Sequence, residues 1–228
     1  MFVLMPDGAS IEHLSLCGET LLPDPSGALL WPAAAAMVVA DLHLEKGSSV
    51  PGLPPYDTAA TLARLAEVLE QHRSRRVICL GDSFHDGGAV TRLDRADREA
   101  LAALVAAHDW LWVAGNHDPA PPALGGRVVS EIAIGHLCFR HEADAAAEPG
   151  EISGHYHPKA CWRARGRSVP GRCFVADGRR LILPAFGAYA GGLDVRDPAI
   201  ARLFPGGCDV HLIARGRITR LPRDEKRR

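Results

Sequence analysis

The chain has 228 residues, 47% hydrophobic and 23% charged, and its 26 basic and 27 acidic side chains leave a formal net charge of -1. These totals exclude a disordered chain and a wholly basic, histone-like binder. They also hide a division: residues 1–160 carry 11 basic and 21 acidic side chains, while residues 161–228 carry 15 and 6. A polyanionic partner for the second region therefore stays open.

The predicted elements run as follows. The stretch 37–40 is a short apolar run that reads as a buried strand ending in Asp41-Leu42-His43. Leu53-Pro54-Pro55-Tyr56 reads as a rigid loop, with Asp57 positioned to cap a helix that repeats Leu62, Leu65, Ala66 and Leu69 to about His72. Residues 77–80 form a second buried strand ending in Gly81-Asp82, and a second helix covers about 94–107. A third strand over 110–114 ends in Gly115-Asn116-His117-Asp118-Pro119. This alternation predicts parallel β-α-β-α-β layering. Beyond Pro122 the pattern changes to strands at 128–134 and 137–140, a short strand at 151–153, and hairpins turning at Asp177-Gly178 and Arg215-Gly216. The second half is thus expected to be largely antiparallel.

No apolar run approaches the about 20 residues of a membrane span. Met1–Ser10 has no basic leader, and the six cysteines never fall as C-x-x-C. The expectation is one cytoplasmic globular domain over 1–228 with reduced thiols, a core at about 15–221 and a frayed tail at 222–228. Arginine outnumbers lysine 23 to 3, which genome base composition explains better than recognition does.

Five motifs stand in order: Asp41-x-His43, Gly81-Asp82, Gly115-Asn116-His117-Asp118, His141, and Gly154-His155-x-His157. Three follow predicted strand ends, where sites assemble in open α/β sheets. Their oxygen and imidazole donors suit Mn, Fe, Zn or Ni. In a strand, residues two apart project to one face, so Asp41 with His43, and His155 with His157, are each expected to reach one ion. The glycines at 81, 115 and 154 are expected to let the backbone turn sharply beneath the ions. Any one of these motifs alone is weak; the five in this order are specific.

The series resembles the calcineurin-like metallophosphoesterases. The resemblance implies an α/β fold, a four-layer α/β/β/α sandwich, with two divalent metal ions at the strand ends. By the same likeness one ion is held by Asp41, His43, Asp82 and His157, the other by Asp82, Asn116, His141 and His155, and His117 contacts the scissile phosphate and protonates the leaving oxygen. His136 competes with His141, which is preferred because it follows a strand. Two such ions clamp a phosphate and activate a water for in-line attack at phosphorus. One departure concerns His85: the protein phosphatase branch has an Asp three residues after the bridging Asp, and here that position is His85, followed by Asp86. His85 is a candidate for substrate contact, and Asp118 for fixing the tautomer of a nearby imidazole.

Longer strings narrow the likeness. Ala40-Asp-Leu-His-Leu-Glu-Lys-Gly47, Leu53-Pro-Pro-Tyr-Asp-Thr58, Leu80-Gly-Asp-Ser-Phe-His-Asp86 and Pro184-Ala-Phe-Gly-Ala-Tyr-Ala-Gly-Gly-Leu193 are similar to bacterial ligase-associated DNA-damage-response metallophosphoesterases. That implies a manganese-dependent endonuclease acting on single-stranded DNA in repair, alongside an ATP-dependent DNA ligase and a helicase. Arg163, Arg165 and Arg167, with Arg172, Arg179, Arg180 and the aromatics Trp162, Phe174 and Tyr189, offer a basic, aromatic lining for a single strand; a solvated hairpin surface is the plainer alternative. The 184–193 segment reads as a structural turn closing the sheet. The competing functions are a phosphodiesterase for cyclic nucleotides or other small diesters, a lipid-precursor hydrolase, and a scaffold without catalysis. Every expected ligand is present, which argues against the last.

Overall fold

The computed structural model describes residues 13–120, 124–164 and 167–221. The tail at 222–228 and Arg165 lie outside the described residues. One sheet runs in chain order through β1 (Leu14–Leu16), β2 (Glu19–Pro23), β3 (Leu29–Trp31), β4 (Ala36–Val39), β5 (Arg76–Leu80), β6 (Asp109–Val113) and β7 (Arg127–Val129). Its first three pairings are antiparallel and its last three parallel. Helices α1 (Lys46–Ser49) and α2 (Asp57–His72) connect β4 to β5, and α3 (Ala89–Arg92) and α4 (Arg95–Ala107) connect β5 to β6.

The second sheet holds β8 (Glu131–Ile134), β9 (Leu137–Arg140), β10 (Glu151–Ser153), β11 (Lys159–Ala164), β12 (Arg167–Ala176) and β13 (Arg180–Ile182). After α5 (Pro198–Ala201) it is completed by β14 (Asp209–Ala214) and β15 (Arg217–Leu221). The order is β15-β14-β12-β13-β10-β9-β8, with β11 paired to β12.

The pleat of β4 shows why these layers form. Met37 and Val39 face Leu62, Leu65, Leu101 and Val105 of the helices. Ala36, Val38 and Ala40 face the other way, packing with Ile78, Leu111, Phe139, Ile152 and Phe174 between the sheets. Strands covered on both faces read as unbroken apolar runs, which is why 37–40, 77–80 and 110–113 stand out so clearly in the sequence. The outer face of the second sheet is covered by Ile200, Leu203 and Phe204 against Cys173, Val175 and Leu212. The α/β/β/α sandwich is therefore present, with its last layer reduced to one four-residue helix and the turn after it.

Several expectations need correction. The strand expected over 128–134 breaks at Ser130: β7 pairs with β6 in the first sheet, and β8 with β9 in the second. Ser130-Glu131 interrupts the apolar run, but one polar pair between two strand-like stretches does not say that they enter different sheets. The second half is largely antiparallel as expected, with β10 the exception, pairing parallel with both β9 and β13. Asp57 does not cap α2; it is the first helical residue, and its carboxylate accepts the Gly47 N–H at 3.0 Å. No helix among the described residues is long and apolar enough to cross a membrane.

Candidate metal centre

The motifs converge because β4, β5 and β6 are parallel neighbours whose carboxyl ends lie side by side. The parallel pair β9 and β10 brings His141 and the 154–157 loop to the same place from the opposite sheet. The loops are stitched together by backbone bonds, Asp41 N–H to Gly81 O at 3.3 Å and His43 N–H to Asp82 O at 2.9 Å. Asp41 joins the two sheets, its carboxylate accepting the His155 N–H at 3.0 Å.

The expected strand geometry at Asp41-x-His43 and His155-x-His157 is not what aligns these side chains. All four lie beyond the strands with left-handed backbones, φ 55° and 45° for the first pair and 69° and 46° for the second, and Asp82 joins them at 47°. Five of the ten positive-φ non-glycine residues described are thus candidate ligands. Each costs about 1–2 kcal/mol in an L-residue, and such strain concentrates at functional sites. The glycines also divide by role. Gly81 has φ 73°, whereas Gly115 and Gly154 do not have a positive φ. Those two are needed for close approach, since a Cβ would overlap Asp82 at Gly115 and the Asp41 carboxylate at Gly154.

Two clusters result. Asp41, His43 and His157 bring donor atoms within 4.8 Å of one another, and so do Asp82, His141 and His155. His43 Nε2 lies 3.3 Å from His157 Nε2, and 3.9 Å from Asp82 Oδ2, which links the clusters. Asn116 Oδ1 lies 2.9 Å from His141 Nε2, with His155 Nδ1 at 3.1 Å. His136 sits in the β8–β9 turn, apart from both groups.

The side chains fit divalent ions. Two pairs of imidazoles meet nitrogen to nitrogen, an arrangement only a shared proton or a cation satisfies. His141 Nδ1 is 2.9 Å from the Leu80 carbonyl, which only accepts, so Nδ1 carries hydrogen and Nε2 faces the carboxylates. Burial alone lowers the pKa of His141, but the Asp82 hydrogen bond and the charges of Asp41 and Asp82 outweigh it and raise it to about 9. Burial also pushes Asp82 up, yet the hydrogen bond and charge of His141 and the His117 N–H hold it at about 2. Burial pulls His43 down to about 4 against the charge of Asp41. The two carboxylates thus favour positive charge in this buried volume, and oxygen with imidazole nitrogen suits Mn, Fe or Zn.

His117 stands beside these clusters, 40% exposed, with Nε2 4.0 Å from Asp82 Oδ2. Its Nδ1 donates to the His85 carbonyl at 2.7 Å, so Nε2 is the end left for chemistry. A backbone carbonyl therefore orients the His117 ring. The His85 ring stacks on His117, centroids 5.4 Å apart, and groups with His43 and His117. Asp118 does not fix an imidazole tautomer. Its carboxylate accepts the Ser83 and Phe84 N–H groups at 2.8 and 3.1 Å and the Gly115 N–H at 3.2 Å, tying two motif loops together. Burial raises its pKa to about 6.

The expected basic lining is only partly assembled. Arg163 and Arg167 are exposed on the β11–β12 hairpin with Trp162, which is 44% exposed. Arg180 is buried beside Glu151 at 3.6 Å, and Phe174 is core. Arg172, Lys159 and Arg64 instead line a cavity adjoining His157. Sequence reasoning missed Lys159 and Arg64, for which no motif gives a signal. The 184–193 segment, expected as a turn closing the sheet, instead crosses from β13 to the loop after β4 of the other sheet, with Phe186 N–H to Ala40 O at 2.8 Å, and lines that cavity.

Residues 35–178 match the family model of the calcineurin-like phosphoesterases. The chain belongs to that family. As a calcineurin-like phosphoesterase it is a metal-dependent hydrolase of phosphate esters. It is similar to the crystal structure of Pseudomonas putida nuclease MPE, with 30% identity and a TM-score of 0.74, covering 92% of this chain and 99% of that one. It also matches Yfce, a phosphoesterase from E. coli, with 13% identity and a TM-score of 0.43, covering 82% of this chain and 97% of that one. No curated protein matches.

Proposed function

We propose that this phosphoesterase is a cytoplasmic endonuclease that hydrolyses phosphodiester bonds of single-stranded DNA, with manganese as the working metal. The observation that carries the reading is the pair of facing donor clusters, Asp41/His43/His157 and Asp82/His141/His155. The nucleic-acid substrate is supported by the likeness to the Pseudomonas putida nuclease over nearly all of both chains. By the same reading the enzyme serves DNA repair beside an ATP-dependent ligase and a helicase.

In this assignment Asp41, His43, Asp82 and His157 hold one ion, Asp82, Asn116, His141 and His155 hold the other, and Asp82 is shared. Two divalent ions at such a site supply Lewis acidity and lower the pKa of a water. The chain's own residues do the rest. The Leu80 carbonyl keeps the lone pair of His141 Nε2 directed inward. Asp118 holds the loops carrying Asp82 and Asn116 in register. His117 donates a proton from Nε2 to the departing oxygen, while its Nδ1–H stays on the His85 carbonyl. Exposed Arg163, Arg167 and Trp162, with Arg165 between them in the sequence, draw the strand in by phosphate contact and stacking.

The test is product analysis on circular single-stranded DNA with Mn, since only an endonuclease opens a circle. Linear product supports the reading. Cleavage of cyclic nucleotides or small diesters with the circle left intact overturns it in favour of a small-molecule phosphodiesterase.

A further inference from the structure

Beside the metal centre lies a cavity of about 400 Å³ whose lining includes Arg64 from α2, Lys159 from β11, Arg172 from β12, and the small residues Ala185, Gly187 and Ala188. His157 lines it too, so the cavity and the metal centre share a wall. The lining contains no Asp or Glu.

The three cations are placed at a cost. Lys159 and Arg172 are directly opposed in the antiparallel ladder of β11 and β12, and like charges so placed destabilise a sheet. Arg172 is held by backbone carbonyls, donating to Ala185 O at 2.9 Å and Ser26 O at 2.5 Å. Arg64 donates to Phe186 O, and its Nε is buried without a partner. None of the three has a carboxylate within ion-pair distance among the described residues. Burial lowers the pKa of both guanidiniums; at Arg172 the charge of Arg64 adds to the lowering and that of Asp24, beyond ion-pair distance, opposes it in part. Neutral carbonyls orient the guanidiniums and leave most of their charge uncancelled, which is the electrostatic form of an anion site. The volume falls within the about 300–1,000 Å³ of small-ligand sites. The wall of alanine and glycine gives a flat surface with no polar group of its own beyond the backbone.

We propose that this cavity is the subsite for the nucleotide adjoining the scissile phosphate, with Lys159, Arg64 and Arg172 holding that nucleotide's own phosphate and the alanine–glycine wall lying against its sugar and base. The inference rests on the nuclease reading and deepens it. It makes the cavity a device for preferring polynucleotides over isolated diesters.

The experiment compares Lys159→Glu, Lys159→Arg and the double variant Lys159→Glu/Arg64→Lys with the parent enzyme. Two readouts are taken with Mn: affinity for a fluorescent phosphorothioate oligonucleotide as a function of salt, and steady-state kinetics on a cleavable oligonucleotide and on bis(p-nitrophenyl) phosphate, which lacks a flanking phosphate. Lys159→Glu is expected to weaken oligonucleotide affinity at least tenfold and to flatten the log–log salt slope by about 0.7 for every phosphate it no longer neutralises. KM for the oligonucleotide should rise with little change in kcat, while kcat/KM for the chromogenic diester falls less than threefold. Lys159→Arg should restore affinity, and the double variant should be weaker than Lys159→Glu. Equal losses on both substrates, or an unchanged salt slope in Lys159→Glu, overturn the subsite while leaving the nuclease reading intact. A parent enzyme that cleaves only the chromogenic diester overturns both.

Discussion

Two regions meet at His157, and they are built on opposite principles. On one side, Asp41, His43, Asp82, His141 and His155 are buried or half-buried on left-handed or tightly packed loops, with Asp41, Asp82 and His141 fixed by backbone bonds from neighbouring motifs. On the other, Lys159, Arg163 and Arg167 are exposed on a two-stranded hairpin that projects from the second sheet. The first region concentrates negative charge and imidazole, and the second concentrates positive charge. Under the proposed function, the contrast separates chemistry, which depends on position held to fractions of an ångström, from substrate capture, which depends on charge that need only be near. Substitutions in the first region should act steeply and in the second gradually.

The largest effect is expected at Asp82, the carboxylate common to both proposed ions. Asp82→Ala should reduce hydrolysis of any phosphodiester by about a thousandfold or more, comparable with losing a principal electrostatic stabiliser, with the circular dichroism spectrum of the parent. Activity within tenfold of the parent would erase the contrast.

Next is His117→Ala. Loss of a general acid costs about 10²–10⁴ in rate. The loss should be largest for DNA, whose alkoxide leaving group needs a proton, and smallest for bis(p-nitrophenyl) phosphate, whose phenolate does not. Equal losses on the two substrates would remove the acid role from His117.

Asp118→Ala should act through stability. It leaves the N–H groups of Ser83, Phe84 and Gly115 without their acceptor, at about 3 kcal/mol if the penalty of one or two buried unpaired groups is realised. A drop of several degrees in Tm is expected, and an unchanged Tm would show that the loops hold without it.

Smallest per residue is the hairpin. Arg163→Ala, Arg165→Ala and Arg167→Ala together should weaken single-stranded DNA binding and lower the salt slope by about 0.7 for each phosphate left without its arginine. Unchanged affinity would make the hairpin a solvated surface and narrow the cationic region to the cavity around Lys159.

The metal-centre residues are legible in the sequence because their spacing is local: Asp41-x-His43, Gly115-Asn116-His117 and His155-x-His157 are each carried by one loop at one strand end. The pleat of a strand is the alignment that such spacing suggests, and the structure replaces it with alternating left-handed residues. Central strands are legible because both faces are buried. The change of sheet at Ser130 is not, since the polar pair Ser130-Glu131 marks an interruption without saying which sheet each side joins. The cavity is invisible for a different reason. Arg64, Lys159 and Arg172 come from three elements, and only the sheet register that sets Lys159 opposite Arg172 makes them neighbours.

The central claim is that Asp82 joins two ions whose presence is required for hydrolysis. Its most direct test is metal content and activity measured on one preparation, stripped with chelator and then titrated with Mn. Two ions bound per chain are predicted, with phosphodiester hydrolysis appearing as the second site fills and neither occurring in Asp82→Ala. Full hydrolysis in the stripped protein, or normal metal content and turnover in Asp82→Ala, would contradict the account.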